Sequence, residues 1–183
     1  MLQGDSRTRS INGTRTHTHG IQLFSGGLVT GASSGIGESL ARCFAQDGHD
    51  LILVARSADK LKALATALSA RHGVKVRVEP ADLSKPGAAD TLATRLKRAR
   101  VPVDVLVNNA GVLAQGRFAA MGAASHQQMI DLNISGLTAM LSAFVPPMVA
   151  RGTGRVLNVA SIASFQPVPS LATYAASKAD RKS

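Results

Sequence analysis

The chain has 183 residues and a formal net charge of +10; 45% of its residues are hydrophobic and 17% are charged. This composition is typical of a folded protein, and the length fits one domain with a real core. The single cysteine, Cys43, excludes an intrachain disulfide, and no stretch has the run of about 18 apolar residues that a membrane helix needs. We therefore expect a cytoplasmic protein without a membrane partner.

The first 24 residues show no hydrophobic periodicity and are rich in Ser, Thr, Arg and Gly. We predict that residues 1–24 form a disordered extension and that residues 25–183 form the folded domain. Few acids and several arginines are also typical of an organellar transit peptide. An over-long start or added residues would give the same composition, and we favour that interpretation.

From Gly26 onward, strand patterns alternate with helical patterns. Continuous apolar runs such as 50–55 predict strands buried on both faces, and apolar residues at i, i+3, i+4 and i+7 predict amphipathic helices. The predicted strands are 27–30, 50–55, 74–79, 103–107 and 154–160. The predicted helices run over 36–47, from a Ser57 cap onward, over 88–100, over 125–145 up to a break at Pro146-Pro147, and from Tyr174. This alternation predicts an α/β fold: a Rossmann-type, doubly wound parallel sheet in one domain.

Much of the positive charge lies between residues 56 and 100, which hold eleven Lys or Arg against four Asp or Glu. A basic surface attracts nucleic acid, but single-strand binders also need aromatic rings on which bases stack. The chain has five Phe, one Tyr and no Trp. We interpret the charge as solvated helix faces and expect no nucleic-acid partner.

The first predicted strand runs into a glycine-rich loop, Thr30-Gly-Ala-Ser-Ser-Gly-Ile-Gly37, which is followed by a helix. In such a loop, Gly31 allows the tight turn, Gly35 lets the backbone approach phosphate, and Gly37 permits close packing of helix and strand. The free N–H groups at the start of the helix can then receive a pyrophosphate. The loop therefore predicts a dinucleotide site.

The end of the second strand indicates which dinucleotide is bound. Binders of NAD place an acid there, about 20 residues after the loop, to hold the ribose 2′-hydroxyl. Here the strand ends at Arg56 without a carboxylate, and a guanidinium suits a 2′-phosphate. Ser33 and Ser34 can donate to the same phosphate. We predict NADP as the cofactor, with NAD as the alternative.

Two further groups of candidate residues follow the third and fourth strands. Asp82-Leu83 and Asn109-Ala110-Gly111 stand at carboxyl ends of strands, where open α/β sheets bind ligands. Asp82 would also serve as a helix cap. The complete set of predicted cofactor-binding residues is Gly31, Ser33, Ser34, Gly35, Ile36, Gly37, Arg56, Asp82, Leu83, Asn109, Ala110, Gly111, Tyr174 and Lys178.

Near the end of the chain, Tyr174 and Lys178 stand four residues apart in Tyr-Ala-Ala-Ser-Lys, a spacing that places both on one helix face. With the glycine loop, Asp82, Asn133, Ser161 and the Asn108-Asn-Ala-Gly111 segment, this motif resembles the classical short-chain dehydrogenase/reductase family. The resemblance runs from about Gly27 to Ala179. It implies an oxidoreductase that transfers a hydride between NADP(H) and a small carbonyl or alcohol substrate.

The resemblance also implies a role for each of four catalytic residues. Tyr174 would be the general acid in reduction and the base in oxidation. Lys178 would favour the phenolate and hold the nicotinamide ribose. Ser161, thirteen residues before the tyrosine, would hydrogen-bond the substrate oxygen, and Asn133 would hold a water that links Lys178 to solvent. From the residues alone, Asn133 could instead satisfy buried backbone and Ser161 could cap a strand end. No metal site is predicted.

Members of the family continue beyond the tyrosine helix, whereas this chain ends at Ser183. We therefore expect a domain that lacks its last strands and exposes an edge of the fifth strand. Family members form homo-oligomers, which this shortened chain would be less able to form. The alternative function is a catalytically inactive, truncated fragment that retains at most weak dinucleotide binding.

Overall fold

A computed structural model describes residues 26–179 as one parallel sheet with helices on both faces; the predicted extension 1–24 lies outside the described residues. The strands are β1 (Gly26–Thr30), β2 (Asp50–Ala55), β3 (Val76–Pro80), β4 (Val105–Asn108) and β5 (Arg155–Asn158). The helices are α1 (Gly35–Gln46), α2 (Ala58–His72), α3 (Ala88–Arg98), α4 (Ala123–Ile130), α5 (Leu137–Arg151) and α6 (Ala172–Ala179). A π-helical segment, Asp131–Gly136, joins α4 to α5, and short 3₁₀ turns cover Phe118–Ala120 and Ile162–Ser164.

The strands lie in the order β3-β2-β1-β4-β5, and every neighbouring pair is parallel. Leu28 of β1 stands opposite Ile52 on one side and Leu106 on the other. The chain therefore winds outward from β1 in two directions, first to β2 and β3 and then to β4 and β5. This order confirms the predicted Rossmann-type fold.

Alternate residues of each central strand face opposite helical layers. Val29, Leu53 and Val107 pack with side chains of α1 and α2, whereas their neighbours Leu28, Ile52 and Leu106 pack with α3 and α5. Because side chains alternate along a strand and both faces are covered, neither set can be polar. The continuous apolar runs of the sequence follow from this burial.

The prediction that the long helix breaks at Pro146-Pro147 is wrong, because α5 continues through both prolines to Arg151. Proline removes a backbone donor and crowds the preceding turn, but buried side chains hold the helix on either side of the pair. Phe144 and Met148, one turn apart, both pack into the core shared with α3. This packing outweighs the local preference of the prolines.

The π-helical segment lies where the long helix crosses the loop after β3. A Cβ on Gly136 would lie 2.5 Å from the carbonyl oxygen of Leu83, so the two backbones touch directly.

By length and apolar composition the stretch Ala123–Arg151 could cross a membrane, a property it shares with core helices of soluble proteins. Within it, Met129 and Met140 are almost completely buried against the rest of the domain.

Candidate functional site

A cleft of about 520 Å³ lies at the carboxyl edge of the sheet. The segments that follow all five strands contribute to its wall, because parallel strands end at a common edge. The lining residues are Gly31, Ser33, Ser34, Ile36, Val54, Ala55, Arg56, Ser57, Lys60, Ala81, Asp82, Leu83, Asn109, Ala110, Gly111, Val112, Leu113, Leu132, Val159, Ala160, Tyr174 and Lys178. This volume is within the usual range for a small-molecule site, about 300–1,000 Å³.

The glycine loop forms one wall of this cleft, and its three glycines have different surroundings. Gly31 (φ +67°) and Gly35 (φ +58°) adopt left-handed backbone conformations that glycine favours. Nothing lies within 4 Å of a Cβ built on Gly35, whereas a Cβ on Gly37 would overlap the carbonyl oxygen of Gly31. The open side of Gly35 leaves room for a ligand near the backbone, and the bare face of Gly37 lets α1 pack directly on the loop.

A cluster of hydrogen bonds, which we call the Thr30–Asn109 clamp, ties the glycine loop to the end of β4. The Thr30 hydroxyl donates to the carbonyl of Val107 (3.2 Å) and accepts from the N–H groups of Asn109 and Ala110 (both 3.0 Å). The Asn109 amide donates back to the Thr30 carbonyl (3.0 Å) and, more weakly, to that of Gly31 (3.5 Å). Thr30 is 1% exposed. The clamp thus fixes the loop beside the segment that follows β4.

Asp82 follows β3 and lines the cleft, and several polar groups lie around its carboxylate. The Ser84 hydroxyl donates to Asp82 Oδ1 (2.7 Å) and lowers the pKa of that carboxyl. Partial burial opposes this shift, while the Ser84 N–H (3.1 Å) and the charges of Arg56 and Lys85 reinforce it. Arg56 and Lys60 are exposed cations that line the same end of the cleft. Asp82 is the only carboxylate among the described residues that line it.

Tyr174 and Lys178 lie on α6 and line the same cleft as the glycine loop. Lys178 is 5% exposed, and its ammonium donates to the carbonyl of Val159 (3.3 Å), just after β5. The Nζ atom lies 5.8 Å from the centroid of the Tyr174 ring. The helical spacing therefore places a buried cation beside a half-buried phenol on the β5 side of the cleft, whereas Arg56 follows β2 on the other side of β1 and β4.

Asn133 lies in the π-helical segment, is fully buried and connects three parts of the site. Its Oδ1 accepts from the N–H of Val112 (2.8 Å), and its Nδ2 donates to the Val112 carbonyl (2.9 Å) and to Ser177 Oγ (2.9 Å). Ser177 in turn donates to the carbonyl of Tyr174 (2.8 Å). A Cβ on Gly111 would lie 3.1 Å from Lys178 Nζ and 3.2 Å from Asn133 Oδ1.

Ser161 lies one residue beyond the part of the β5 connection that lines the cleft. Its Oγ accepts from the N–H of Ala163 (3.2 Å), so that it caps a 3₁₀ turn. This bond uses an acceptor lone pair and leaves the hydroxyl proton free to donate elsewhere.

Twelve of the predicted site residues line one cleft, although they come from distant parts of the sequence. The predicted residues that do not line it are Gly35, Gly37, Asn133 and Ser161. Among the residues of the site that were not predicted from the sequence, Lys60 lies one helical turn after Arg56 and lines the cleft, and Thr30 has a buried hydroxyl that organises the loop. The sequence signals that could have indicated these two residues were a threonine at the end of a strand and a cation in the first turn of the following helix. Both patterns are common in proteins where they have no such role.

His126 of α4 had no role predicted from the sequence. Its Nδ1 lies 2.8 Å from Thr173 Oγ1, and its Nε2 lies 3.4 Å from the carbonyl oxygen of Phe118. The ring of Phe118 lies 4.5 Å from the imidazole, centroid to centroid. His126 thus joins the start of the tyrosine helix to the turn that follows the β4 loop.

A family model described as short chain dehydrogenase matches residues 27–182. The chain is 34% identical over 151 residues to an uncharacterized oxidoreductase of Staphylococcus haemolyticus, covering 82% of this chain and 64% of the relative. A short-chain dehydrogenase from Sphingobium yanoikuyae, solved in complex with NADPH, has a TM-score of 0.80 and 40% identity over 85% of this chain and 60% of its own.

A third relative is an alcohol dehydrogenase from the archaeon Thermococcus sibiricus, solved with 5-hydroxy-NADP. Its TM-score is 0.81 at 32% identity, covering 86% of this chain and 66% of that structure. The chain thus spans somewhat less than two thirds of the length of these relatives.

The Thr30–Asn109 clamp predicts the effect of removing one hydroxyl. Thr30→Val keeps the shape of the side chain but leaves the N–H groups of Asn109 and Ala110 without their shared acceptor. We expect a loss of about 1–3 kcal/mol in the free energy of unfolding, measured by urea denaturation. Thr30→Ser, which keeps the hydroxyl, is the control, and equal stability of the two variants would contradict the role assigned to the clamp.

The hydrogen bond from Ser84 predicts a change in the titration of Asp82. In Ser84→Ala the pKa of Asp82 should rise, as measured by carboxyl-carbon NMR. Since the folded pKa lies below the unfolded value of about 3.9, ionised Asp82 stabilises the fold above that value, and this contribution disappears as the pH falls through the folded pKa. Ser84→Ala should therefore lower stability at neutral pH and lose its effect in acid.

An Asp82→Asn background supplies the control for this titration. There Ser84→Ala should change stability by an amount that does not depend on pH between neutrality and acid. A pH-dependent difference that persists without the carboxylate would assign the effect to another group.

Proposed function

Because the chain belongs to the short chain dehydrogenase family, we propose that it is an oxidoreductase that transfers a hydride between NADP(H) and a carbonyl or alcohol. The observation that carries this proposal is the single cleft that holds the glycine loop, Arg56 and the Tyr174–Lys178 pair. These groups lie at the carboxyl edge of a doubly wound sheet, where ligands of such folds bind. The substrate is a small molecule, since a cleft of about 520 Å³ has the size of a small-molecule site.

The residues present fit a dinucleotide with a 2′-phosphate. Gly35 leaves an open approach to the backbone at the start of α1, where unpaired N–H groups favour a pyrophosphate. Arg56 and Lys60 place two cations beyond β2, and Asp82 is held by Ser84 rather than being the strand-end acid expected for NAD. The similar structures that contain NADPH and 5-hydroxy-NADP support the same choice.

A dinucleotide held in the cleft would supply or accept the hydride, and the residues of the protein would move the matching proton. Tyr174 would donate that proton to a carbonyl oxygen in reduction and take it back in oxidation. The ammonium of Lys178, 5.8 Å from the centroid of the phenol ring, would interact favourably with negative charge that develops on the phenol oxygen during proton transfer. The carbonyl of Val159 orients this ammonium in the cleft.

Ser161 would hydrogen-bond the substrate oxygen as charge develops on it. Its Oγ already accepts from Ala163, which orients the hydroxyl and leaves the proton to donate. Asn133 would act first as a positioning residue, since it holds Val112 and, through Ser177, the helix of Tyr174. A water relay from Lys178 past Asn133 remains part of the proposal, supported by the approach of both groups to Gly111.

Cofactor choice is tested at Arg56. Arg56→Ala should weaken NADPH binding by about tenfold or more, because a charge-assisted hydrogen bond to the 2′-phosphate is lost. NADH lacks this phosphate, so its affinity should change much less; both are measured by fluorescence titration. Arg71→Ala, an exposed cation at the far end of α2, is the matched control. Equal losses for both dinucleotides would contradict a 2′-phosphate site.

The chemistry is tested at Tyr174. Tyr174→Phe removes the phenol proton, so reduction of aldehydes and ketones by NADPH should fall by about two orders of magnitude or more, while NADPH affinity changes little. Turnover is followed by NADPH absorbance under saturating cofactor. NADPH binding by the unaltered chain without turnover of any carbonyl would contradict the oxidoreductase proposal and leave dinucleotide binding as the function of this chain.

A further inference from the structure

A second groove lies at the opposite edge of the sheet from the cleft, between the end of α3 and the second half of α5. We call it the α3–α5 groove. Its volume is about 540 Å³, and its floor includes the buried side chains of Leu96, Val103 and Phe144. A neighbouring hollow of about 510 Å³ lies at the start of β1, β2 and β3. Arg100 lines both spaces.

The charged residues that line the α3–α5 groove are all cations: Lys97, Arg100 and Arg151. None of the described residues in its lining is a carboxylate. Arg151 is partly held, because its guanidinium donates to the carbonyl of Val103 (2.9 Å) and lies 3.6 Å from Asp104. An apolar floor thus meets a positively charged rim. This combination matches a ligand with an aliphatic body and an anionic head.

Arg100 adopts a backbone conformation that arginine rarely takes. Its φ is +52°, and its N–H donates to the carbonyl of Lys97 (3.1 Å), while that of Val101 donates to Leu96 (3.0 Å). These bonds form a Schellman motif, in which glycine is the usual residue at the left-handed position. The helices α2 and α5 also end at a residue in the left-handed conformation, and in both that residue is a glycine: Gly73 (φ +69°) and Gly152 (φ +68°). The corresponding residue after α3 is Arg100 instead.

The charge of the helix terminus does not account for this arginine. A cation in the last turn interacts favourably with the helix dipole, and Arg95, Lys97 and Arg98 already occupy that turn of α3. A strained residue persists where its side chain is used or where the surroundings impose it. Arg100 is exposed, so packing does not impose it. Arg100 lines both the α3–α5 groove and the neighbouring hollow, which also contains the charged residues Asp50, Lys75 and Arg77. This place between the two spaces is the remaining reason for it.

We propose that the α3–α5 groove binds an amphiphilic anion: an aliphatic carboxylate whose head meets Arg100 and Lys97 and whose chain lies along the exposed or partly exposed apolar lining residues Val101, Pro102 and Pro147. The net charge of +10 disfavours a second copy of this chain on the same cationic rim. A nucleotide base would need an exposed aromatic ring on which to stack, and the ring of Phe144 is buried. This site is distinct from the cleft of Tyr174, and it does not depend on the proposed reaction.

Dodecanoate, used below its aggregation concentration, is the probe, and its affinity for the purified chain is measured by isothermal titration calorimetry. We expect one site per chain. Arg100→Gly should weaken binding by about tenfold or more, the loss expected for one charge-assisted hydrogen bond. Because glycine suits the left-handed position, this variant should melt at the same temperature as the unaltered chain or higher. A loss of binding would therefore not reflect a failure to fold.

Three controls test whether the groove and its charged rim are what binds the probe. Arg98→Ala removes a cation of the same turn that lines neither space, and should leave the affinity unchanged. Arg100→Lys keeps a positive charge and should retain part of the binding. Dodecan-1-ol, which has the same chain and a neutral head, should bind much more weakly than dodecanoate.

The experiment also distinguishes this site from the cleft. Saturating NADPH, or the Tyr174→Phe variant, should leave dodecanoate binding intact; loss under either condition would place the ligand in the cleft and overturn the proposal. Equal affinity of the unaltered chain and Arg100→Gly would overturn it as well. So would binding to phosphatidylglycerol vesicles without binding of free dodecanoate, since the charged rim would then serve a membrane surface.

Discussion

The contact between the glycine loop and the end of β4 is the constraint on which the cleft depends. In a sheet of order β3-β2-β1-β4-β5, the connections from β1 and β4 leave in opposite directions, and a crevice opens between them. The Thr30 hydroxyl bridges this crevice at its base with one donated and two accepted hydrogen bonds. Asn109 closes the same contact from the other side. Without this clamp no side-chain hydrogen bond among those described would fix the glycine loop relative to the end of β4, and the two walls of the cleft could shift against each other.

A second constraint joins the Tyr174–Lys178 end of the cleft to the same scaffold. Asn133 is presented by a π-helical segment, a local distortion often found at functional sites. Its amide holds the backbone of Val112 on one side and Ser177 on the other. Val112 follows directly on the clamped segment that begins at Asn109. One framework of backbone connections and hydrogen bonds therefore runs from the glycine loop to the helix of Tyr174, so that it positions both ends of the cleft.

Local sequence patterns predicted most of the fold because both faces of the sheet are buried. Such strands must be continuously apolar, as β2 is, and the helices between them show one apolar stripe. The prediction from local sequence failed at the two prolines of α5. A local rule predicted a break there, and burial of Phe144 and Met148 overrides it. The left-handed Arg100 is a similar case, since a local rule would place glycine at that point.

The sequence by itself determined the α/β alternation, the glycine loop and the four-residue spacing of Tyr174 and Lys178, because each depends on neighbours within a few residues. Only the tertiary structure decided which distant groups meet. It placed Arg56 and Tyr174 in one cleft, held Asn109 against Thr30, and set Arg100 at an apolar groove at the other edge. Such contacts join residues up to about eighty positions apart. They arise from strand order and helix packing, which no short pattern encodes.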